Sequence, residues 1–306
     1  QRMCVPLRHP SRSRGRLQRG RDGCRSGTHI RCVIHPGHVG VCSVRHNVNG
    51  VLQVLNYNRV TACHIDPMEK KPLYHFHPGT PAMSLGAPGC NFRCRLCQNF
   101  LISQMPLDEQ KIEGRPLTPK WVIEEAVRRE CSAIAYTYTE PTIFIEYAAE
   151  VAVMAKECGL KNIFVTNGYQ TPEVHDLMLP WLDAVNVDLK GISDRFYLKT
   201  CSARVGPVKE SIKRFYGAGV WTEVSTVVIP GRNDSDEDLR ETAAFLAGIS
   251  RDIPWHVNAF HPDYEMMDVP PTPAADLRRA AAIGRDAGLR FVYIGNACVP
   301  GAEDTR

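Results

Sequence analysis

Three cysteines, Cys90, Cys94 and Cys97, lie in the short stretch GAPGCNFRCRLCQNF with the spacing C-x3-C-x2-C. Cysteine thiolates are ligands for iron–sulfur clusters and for zinc. A [4Fe–4S] cluster normally takes one thiolate per iron, so three cysteines would leave one iron with an open position, where a small molecule can bind. The spacing therefore favours a catalytic iron–sulfur cluster at this loop.

Zinc is the main alternative for the same loop. A Cys3His zinc site needs one histidine beside the three thiols, and His75 and His77 lie just upstream in YHFHPG. A second group of cysteines and histidines lies between residues 24 and 46. It could form an auxiliary metal site at Cys24, Cys32 and Cys42.

The elements that must position the cysteine loop follow from the hydrophobic pattern. Beyond about residue 82, short β-branched or apolar runs alternate with segments of helical periodicity, which predicts a parallel sheet with helices outside it. The pattern fits a full or partial (β/α) barrel. Strands are predicted at 82–86, 133–139, 162–166, 184–189, 221–229, 255–260 and 291–295. Helices are predicted near 119–131, 142–158, 173–181, 207–218, 235–249 and 273–288.

Polar residues follow several of these strands at the point where each strand ends. They are Glu140 in TEP, Asn167 in TNG, Asp188 and Lys190 in DLK, and His261 in FHP. The carboxyl ends of barrel strands meet at one rim, where barrel enzymes carry out their chemistry, so these side chains and the cysteine loop are expected together. A structural ion pair is an equally good interpretation of Asp188 and Lys190. A hydrogen bond to the backbone is the alternative role for His261.

The net charge of +4 is unevenly distributed along the chain. Residues 1–31 carry nine arginines and a single acid, Asp22, for a net charge of +8, which leaves about −4 on the remainder. This composition favours a disordered leader. A basic arm can bind nucleic acid, although this one lacks interleaved aromatic residues for base stacking. A zinc-dependent nucleic-acid-binding protein that uses the arm is therefore the alternative function.

Several classes of protein do not fit the composition. No run approaches the roughly 20 apolar residues that a membrane helix needs, and the N-terminus lacks the apolar segment of a secretory signal. Clustered cysteines beside isolated ones favour metal binding over a disulfide framework. We therefore expect a cytoplasmic protein with no membrane association.

A series of motifs, in order along the chain, resembles a known family. The loop GCNFRCRLCQNF resembles the signature of radical S-adenosylmethionine (SAM) enzymes. With the other motifs, it resembles the radical SAM member of the AmmeMemoRadiSam system, a group related to the pyruvate formate-lyase activating enzymes. The resemblance covers about residues 32 to 303. The other motifs are YNRVTACHIDPMEKKPLYHFHPGT, AYTYTEPTIF, VTNGY, NVDLKGISDRFY, VVIPGRNDS and WHVNAFHPDYEMMDVPPTP.

The resemblance implies a fold and a domain organisation. It implies a partial (β/α) barrel of the radical SAM type at residues 81–306. A Cys/His-containing N-terminal extension at 32–80 would precede the barrel, and the arginine-rich leader at 1–31 would precede the extension.

The resemblance also implies a cofactor set. The three cysteines of the loop would ligate three irons of a [4Fe–4S] cluster, and SAM would chelate the fourth iron. Glu140 would accept a hydrogen bond from the SAM amino group. Asn167 and His261 would lie near its ribose or methionyl groups. Asp188 and Lys190 would line the same rim, with Lys190 as a partner for a carboxylate.

The implied activity is reductive cleavage of SAM to methionine and a 5′-deoxyadenosyl radical, which takes a hydrogen atom from a substrate. The substrate could be a partner protein, as for a glycyl-radical activase, or a small molecule. The resemblance suggests Memo-type and AMMECR-type proteins as partners and flavodoxin or ferredoxin as the electron donor.

Overall fold

The structure, a computed structural model, describes residues 24–26 and 32–301, with side-chain positions from residue 34 onward. Of the leader predicted at residues 1–31, only Cys24–Ser26 falls within this part, and the rest lies outside the described residues. The side chains of Cys24 and Cys32 lie outside it as well. The auxiliary metal site is therefore described only at Cys42, whose side chain is buried.

The strands of the described chain form one large sheet and three small pairs. They are β1 (Cys24–Ser26), β2 (Cys32–Ile34), β3 (Arg45–Val48), β4 (Val51–Val54), β5 (Arg59–Val60), β6 (Ala62–Pro67), β7 (Pro81–Gly86), β8 (Arg115–Pro116), β9 (Ala133–Tyr136), β10 (Lys161–Thr166), β11 (Ala184–Asp188), β12 (Trp221–Val228), β13 (Trp255–Ala259) and β14 (Val292–Gly295). The small antiparallel pairs are β1 with β2, β3 with β4, and β5 with β8.

Helices connect the strands of the large sheet. They are α1 (Phe100–Ser103), α2 (Met105–Asp108), α3 (Pro119–Arg128), α4 (Ile145–Glu157), α5 (Pro172–Met178), α6 (Asp194–Thr200), α7 (Val205–Gly217), α8 (Asp236–Ile249) and α9 (Ala274–Asp286). Short 3-10 turns occur at Met68–Lys70 and Pro141–Phe144. Among the described helices, none combines the length and the apolar character needed to cross a membrane.

The large sheet has eight strands in the order β14-β13-β12-β11-β10-β9-β7-β6. Strands β7 and β9 to β14 run parallel, and β6 pairs antiparallel with β7 at one edge. No ladder in the described residues joins β6 to β14, so the sheet stays open and the barrel is partial. The α/β architecture predicted from the strand–helix alternation is confirmed.

The predicted elements differ from the observed ones mainly at their ends. Strand β9 stops at Tyr136 because Tyr138 adopts a left-handed backbone with φ of 66°, which turns the chain towards the rim. The helix predicted at 142–158 begins as the 3-10 turn Pro141–Phe144. Strand β6 and helix α6 were not predicted, because neither has a clear periodic pattern over its six or seven residues.

Helices and strands pack closely on the outer side of the sheet. Trp255 of β13 is fully buried and lies against α9 at Gly284. A Cβ atom at Gly284 would lie only 2.9 Å from Cε3 of Trp255, so a larger residue would push the helix away from the sheet. The glycine therefore allows α9 to approach β13.

The chain between β6 and β7, within the range predicted as the N-terminal extension, closes the amino-terminal end of the barrel. Met68 and Leu73 are fully buried in a cluster with small residues from the strands, including Ala82, Ala133 and Ala184. The small side chains of these alanines leave space inside the barrel, and the larger side chains of Met68 and Leu73 fill it. This end is therefore a packed core, which leaves the opposite end for chemistry.

Glu223 of β12 holds the extension at the same end. Its buried carboxylate accepts hydrogen bonds from the backbone N–H groups of Tyr74 (3.1 Å) and His75 (2.9 Å) and lies 2.7 Å from Nε2 of His256. Burial raises the pKa of Glu223, but the hydrogen bond and charge of His256 outweigh burial and lower it. The carboxylate therefore acts as a buried anchor for the extension.

His175 of α5 makes the stability of the fold depend on pH. Burial lowers its pKa to about 4, and Arg214 adds to the fall. The unfolded histidine titrates near pH 6.5, so between about pH 6.5 and pH 4 the unfolded chain binds a proton that the folded chain does not. Stability contributed by neutral His175 is complete above this window and falls as the pH drops through it.

We expect His175→Gln to remove this part of the acid sensitivity. Between pH 7 and pH 4.5 the wild-type chain should lose about 2 kcal/mol more unfolding free energy than the variant. Urea unfolding of the cluster-free protein at both pH values measures the difference. An identical pH dependence in the two proteins would show that the pKa of His175 is the same in the folded and the unfolded chain.

Candidate active site at the carboxyl ends of the strands

The cysteine loop follows β7 and is held by backbone hydrogen bonds on two sides. The N–H of Gly89 donates to the carbonyl of Ile102 in α1 (3.0 Å). On the other side, the N–H groups of Arg93 and Arg95 donate to the carbonyls of Cys201 (3.0 Å) and Thr200 (2.9 Å) at the end of α6. The path of the loop is therefore fixed by the protein on both sides of Cys94.

Gly89 meets a strict steric requirement just before the first cysteine. Its φ of +99° belongs to the region that favours glycine. A Cβ atom there would lie 2.9 Å from Cγ1 of Val44 and 3.1 Å from the carbonyl oxygen of Cys42. The N-terminal extension therefore packs directly against the loop, and only glycine fits between them.

The three thiols of the loop form a buried group of soft donors. All three cysteines are free, Cys94 is buried, and Cys90 and Cys97 are partly buried. The backbone N–H of Phe92 lies 3.4 Å from Sγ of Cys90, and the hydroxyl of Ser103 lies 3.2 Å from Sγ of Cys97. Burial raises the pKa of Cys90, and the neighbouring sulfur of Cys94 adds to the rise.

The arrangement of the thiols bears on the choice between a cluster and a single zinc ion. In the part of the chain that the structure describes, no three His, Cys, Asp or Glu side chains converge closely enough to hold one metal ion. A [4Fe–4S] cluster takes each thiolate on a different iron, so its ligands need not converge on one point. Three soft sulfur donors on one loop, with no oxygen ligand among them, fit this cluster.

The histidines proposed for a Cys3His zinc site lie at the opposite end of the barrel. Nε2 of His75 is 2.5 Å from the hydroxyl of Tyr293, and its ring packs on Phe291 just before β14. The carbonyl of His77 accepts from the hydroxyl of Thr80, which directly precedes β7. The loop lies beyond the carboxyl end of β7, so the zinc alternative is wrong for both histidines.

Glu140 lies buried at the rim and is surrounded by donors. Its Oε1 accepts from the N–H of Thr142 (3.0 Å) and its Oε2 from the N–H of Asn167 (2.8 Å). The hydroxyls of Thr142 and Thr166 also donate to the carboxylate. Burial raises the pKa of Glu140, and the hydrogen bonds from Thr142, Asn167 and Thr166 oppose the rise. A cation that binds beside this carboxylate would also lower the pKa of Glu140 and so favour its ionised form.

Asn167 connects Glu140 to the cysteine loop. Its backbone donates to Glu140, while its side-chain Nδ2 donates to Oδ1 of Asn91 (2.6 Å) and lies 3.9 Å from Sγ of Cys90. The N–H of Tyr169 donates to its Oδ1 (2.9 Å). The ends of β9 and β10 and the loop after β7 therefore meet in one hydrogen-bonded network, as the strand-end positions predicted.

Asp188 and Lys190 form an ion pair on the same rim, with 3.0 Å between Nζ and Oδ2. Burial opposes the charge of Lys190, but Asp188 and the sulfurs of Cys94 and Cys201 outweigh burial and raise its pKa. The ion pair therefore exists in the fold, and it places an ammonium group beside the cysteine loop.

His261 lies on the rim but apart from this network. Its side chain is exposed, and Nε2 lies 3.1 Å from the carbonyl oxygen of Asn296 after β14. This is the backbone hydrogen bond given as its alternative role. Among the described contacts, none joins its ring to Glu140 or to the cysteines.

Several residues of the site were not singled out in the sequence. Asn91 lies inside the cysteine loop directly after Cys90, and this position could have identified it as a residue of the site. Gln170 completes the shell around Glu140, and its Nε2 donates to the hydroxyl of Thr142 (2.9 Å). Cys201 approaches the loop only through the folding of α6, so sequence spacing gave no signal for it.

Comparison with known proteins agrees with this geometry. Residues 85–246 match the family described as the Radical SAM superfamily. Over 273 residues the chain is 45% identical to an uncharacterized protein of Methanocaldococcus jannaschii, and the alignment covers 89% of this chain and 80% of that protein. The chain belongs to the radical SAM superfamily. Membership implies a [4Fe–4S] cluster and SAM as cofactors.

More distant relatives share the fold. The chain is 22% identical over 198 residues to the pyruvate formate-lyase-activating enzyme of Clostridium pasteurianum, with 59% of this chain and 80% of that enzyme covered. A radical SAM methyltransferase from Sphaerobacter thermophilus superposes with a TM-score of 0.56 at 18% identity, over 72% of this chain and 67% of that one. Streptococcus suis SuiB bound to SAM gives 0.54 at 14% identity, over 69% of this chain and 49% of SuiB.

Glu140→Gln should destabilise the fold, because each carboxylate oxygen faces a backbone N–H that cannot turn away. Whichever oxygen becomes an NH2 group then opposes one of these donors. We expect the free energy of unfolding of the cluster-free protein to fall by about 1–3 kcal/mol in urea titrations. Glu109→Gln is the control, since Glu109 is exposed and pairs with Lys111. Equal stability of the two variants would contradict the buried network.

Proposed function

We propose that this protein is a radical SAM enzyme that binds its cluster through Cys90, Cys94 and Cys97. The observation that carries the proposal is the hydrogen-bonded link between the cysteine loop and the buried Glu140 through Asn167. When bound, the cluster supplies the electron that cleaves SAM to methionine and a 5′-deoxyadenosyl radical. The protein residues orient the reactants and exclude water.

Glu140 is the proposed acceptor for the SAM amino group. The carboxylate is buried, its position is set by backbone donors, and it is linked to the loop through Asn167. An ammonium group placed there would gain a charge-assisted hydrogen bond at a buried carboxylate. Asn167 is proposed to orient the bound SAM, because its side chain already bridges Glu140 and the loop.

Lys190 and His261 have proposed roles at the edges of the site. Lys190 is charged, close to Cys94, and balanced by Asp188, so it can attract the methionyl carboxylate of SAM. His261 is exposed on the rim, where it can reach the ribose of SAM or a substrate. His261 is the least constrained of these residues, since its ring contacts a backbone carbonyl.

The proposed reaction resembles that of the glycyl-radical activases, with a partner protein as the substrate. The similarity to the Clostridium pasteurianum activating enzyme supports this proposal. The motif resemblance supports a place in the AmmeMemoRadiSam system, with Memo-type and AMMECR-type proteins as partners and flavodoxin or ferredoxin as reductant. We propose cytoplasmic location, and a chain divided into a leader at 1–31, an extension at 32–80 and the barrel at 81–306.

Cys94→Ala should abolish cluster assembly, because one of three thiolates is lost and the loop contains no replacement. Anaerobic reconstitution followed by iron and sulfide analysis measures the loss. Cys131→Ala, which removes a buried thiol near the start of β9, should keep the full cluster. Wild-type iron and sulfide content in Cys94→Ala would exclude the proposed ligand set.

The reconstituted wild-type protein should produce 5′-deoxyadenosine when dithionite and SAM are added. Chromatography measures the product, and EPR should show a reduced-cluster signal that changes on SAM addition. Bound zinc with no 5′-deoxyadenosine would overturn the proposed function. If a co-purifying protein is the substrate, the same reaction should leave a stable glycyl radical signal on it.

A further inference from the structure

The side-chain amide of Gln170 lies one hydrogen bond away from groups that bind Glu140. Gln170 follows β10 and is buried. Its Nε2 donates to the hydroxyl of Thr142 (2.9 Å) and to the hydroxyl of Thr166 (3.2 Å). Both hydroxyls in turn contact the carboxylate of Glu140. Gln170 is therefore linked to Glu140 through two threonine hydroxyl groups.

These contacts fix the direction of each hydrogen bond in the group. A hydroxyl has one proton and two lone pairs, whereas an amide N–H can only donate. The Thr166 hydroxyl accepts from the N–H of Gly168 (3.1 Å) and from Nε2 of Gln170, so both of its lone pairs are occupied. Its proton is left for Oε1 of Glu140 at 2.8 Å. The Thr142 hydroxyl likewise accepts from Gln170 and donates to Glu140.

Packing alone does not account for a glutamine at position 170. Its Oε1 is buried and has no hydrogen-bond partner among the described residues. A buried polar atom without a partner costs free energy, and an apolar side chain of similar size would avoid that cost. The two N–H groups of the amide are both used, one on each threonine hydroxyl. We therefore look to these two donors for the role of the side chain.

The oriented hydroxyls leave one acceptor position of Glu140 free. Oε1 accepts from the N–H and the hydroxyl of Thr142 and from the hydroxyl of Thr166. Oε2 accepts from the N–H of Asn167 (2.8 Å) and shares the Thr166 proton at 3.0 Å. Each carboxylate oxygen has about two lone-pair positions. Among the described contacts, Oε2 is therefore the oxygen with room for a further donor.

We propose that Gln170 is a positioning residue of the SAM site, which turns the hydroxyl protons of Thr142 and Thr166 towards Glu140 and so directs the SAM ammonium group to Oε2. The inference rests on the proposed function, in which Glu140 accepts a hydrogen bond from that group. Gln170 acts through the two threonines, without a contact of its own to SAM.

Gln170→Met tests the inference, because methionine has a similar length and cannot donate a hydrogen bond. Equilibrium dialysis measures the dissociation constant of SAM for the reconstituted protein, without reductant so that SAM stays intact. We expect Gln170→Met to bind SAM about three- to tenfold more weakly, since the hydroxyl protons are no longer directed to Glu140. Gln53→Met makes the same substitution at an exposed position of β4 and should bind SAM like the wild type.

A double-mutant cycle shows whether Gln170 acts through the hydroxyls. The second background carries Thr142→Val and Thr166→Val, which keep the shape of both side chains and remove both hydroxyls. In this background Gln170→Met should change the dissociation constant by less than about twofold, because no hydroxyl is left to orient. A loss as large as that in the wild-type background would overturn the inference.

A second ligand separates positioning from packing. 5′-Methylthioadenosine shares the adenosine group of SAM and lacks its amino group. Its affinity, measured by competition with SAM, should be the same for the wild type and Gln170→Met. An equal loss for both ligands would overturn the inference, because Gln170 would then support the shape of the whole site.

The remaining outcomes also decide. An unchanged SAM affinity in Gln170→Met would overturn the inference. If that variant fails to fold, Gln170→Asn takes its place, since its shorter amide cannot reach both hydroxyls, and SAM binding equal to the wild type would then overturn the inference. If the wild-type protein assembles a cluster but binds no SAM, the proposed function fails with the inference. SAM binding that is insensitive to Gln170 leaves the function standing and removes only the inference.

Discussion

The hydrogen bonds from Arg93 and Arg95 to the end of α6 are the interaction on which the site most depends. A loop with three cysteines and flanking glycine has many conformations open to it, and its thiols repel one another once they are deprotonated. These two hydrogen bonds join backbone groups, so they persist when side chains rotate. They therefore limit the conformations that the cysteine loop can adopt. They also bring Cys201 to Cys94, which no local feature of the loop would do.

The rest of the barrel allows this rim to be polar and buried at once. The extension closes the amino-terminal end with Met68 and Leu73, and Glu223 anchors the extension there. Polar groups at the opposite end then find partners in one another. Glu140 has donors on both oxygens, and Asn167 joins it to the loop. A buried carboxylate with this many donors is costly to desolvate but well placed to receive a cation.

Much of the fold could be predicted, because strand–helix alternation is a local property of the chain. The seven parallel strands and the larger helices follow from apolar periodicity and occur where the pattern places them. The errors have local causes as well. Tyr138 takes a left-handed backbone that ends β9 early, and α6 has too few residues to show a period. The zinc alternative failed for a different reason, since closeness in sequence placed His75 near a loop that the barrel separates from it.

The sequence by itself determined the donor set and the rim on which it lies. Cys90, Cys94 and Cys97 share one loop, and residues that end parallel strands must meet at one edge. Only the tertiary structure decided which of these residues touch. It joined Asn167 to both Glu140 and the loop, paired Lys190 with Asp188, and left His261 on a backbone carbonyl. It alone brought Cys201 to Cys94, because contacts between residues about a hundred positions apart depend on how α6 packs on the loop.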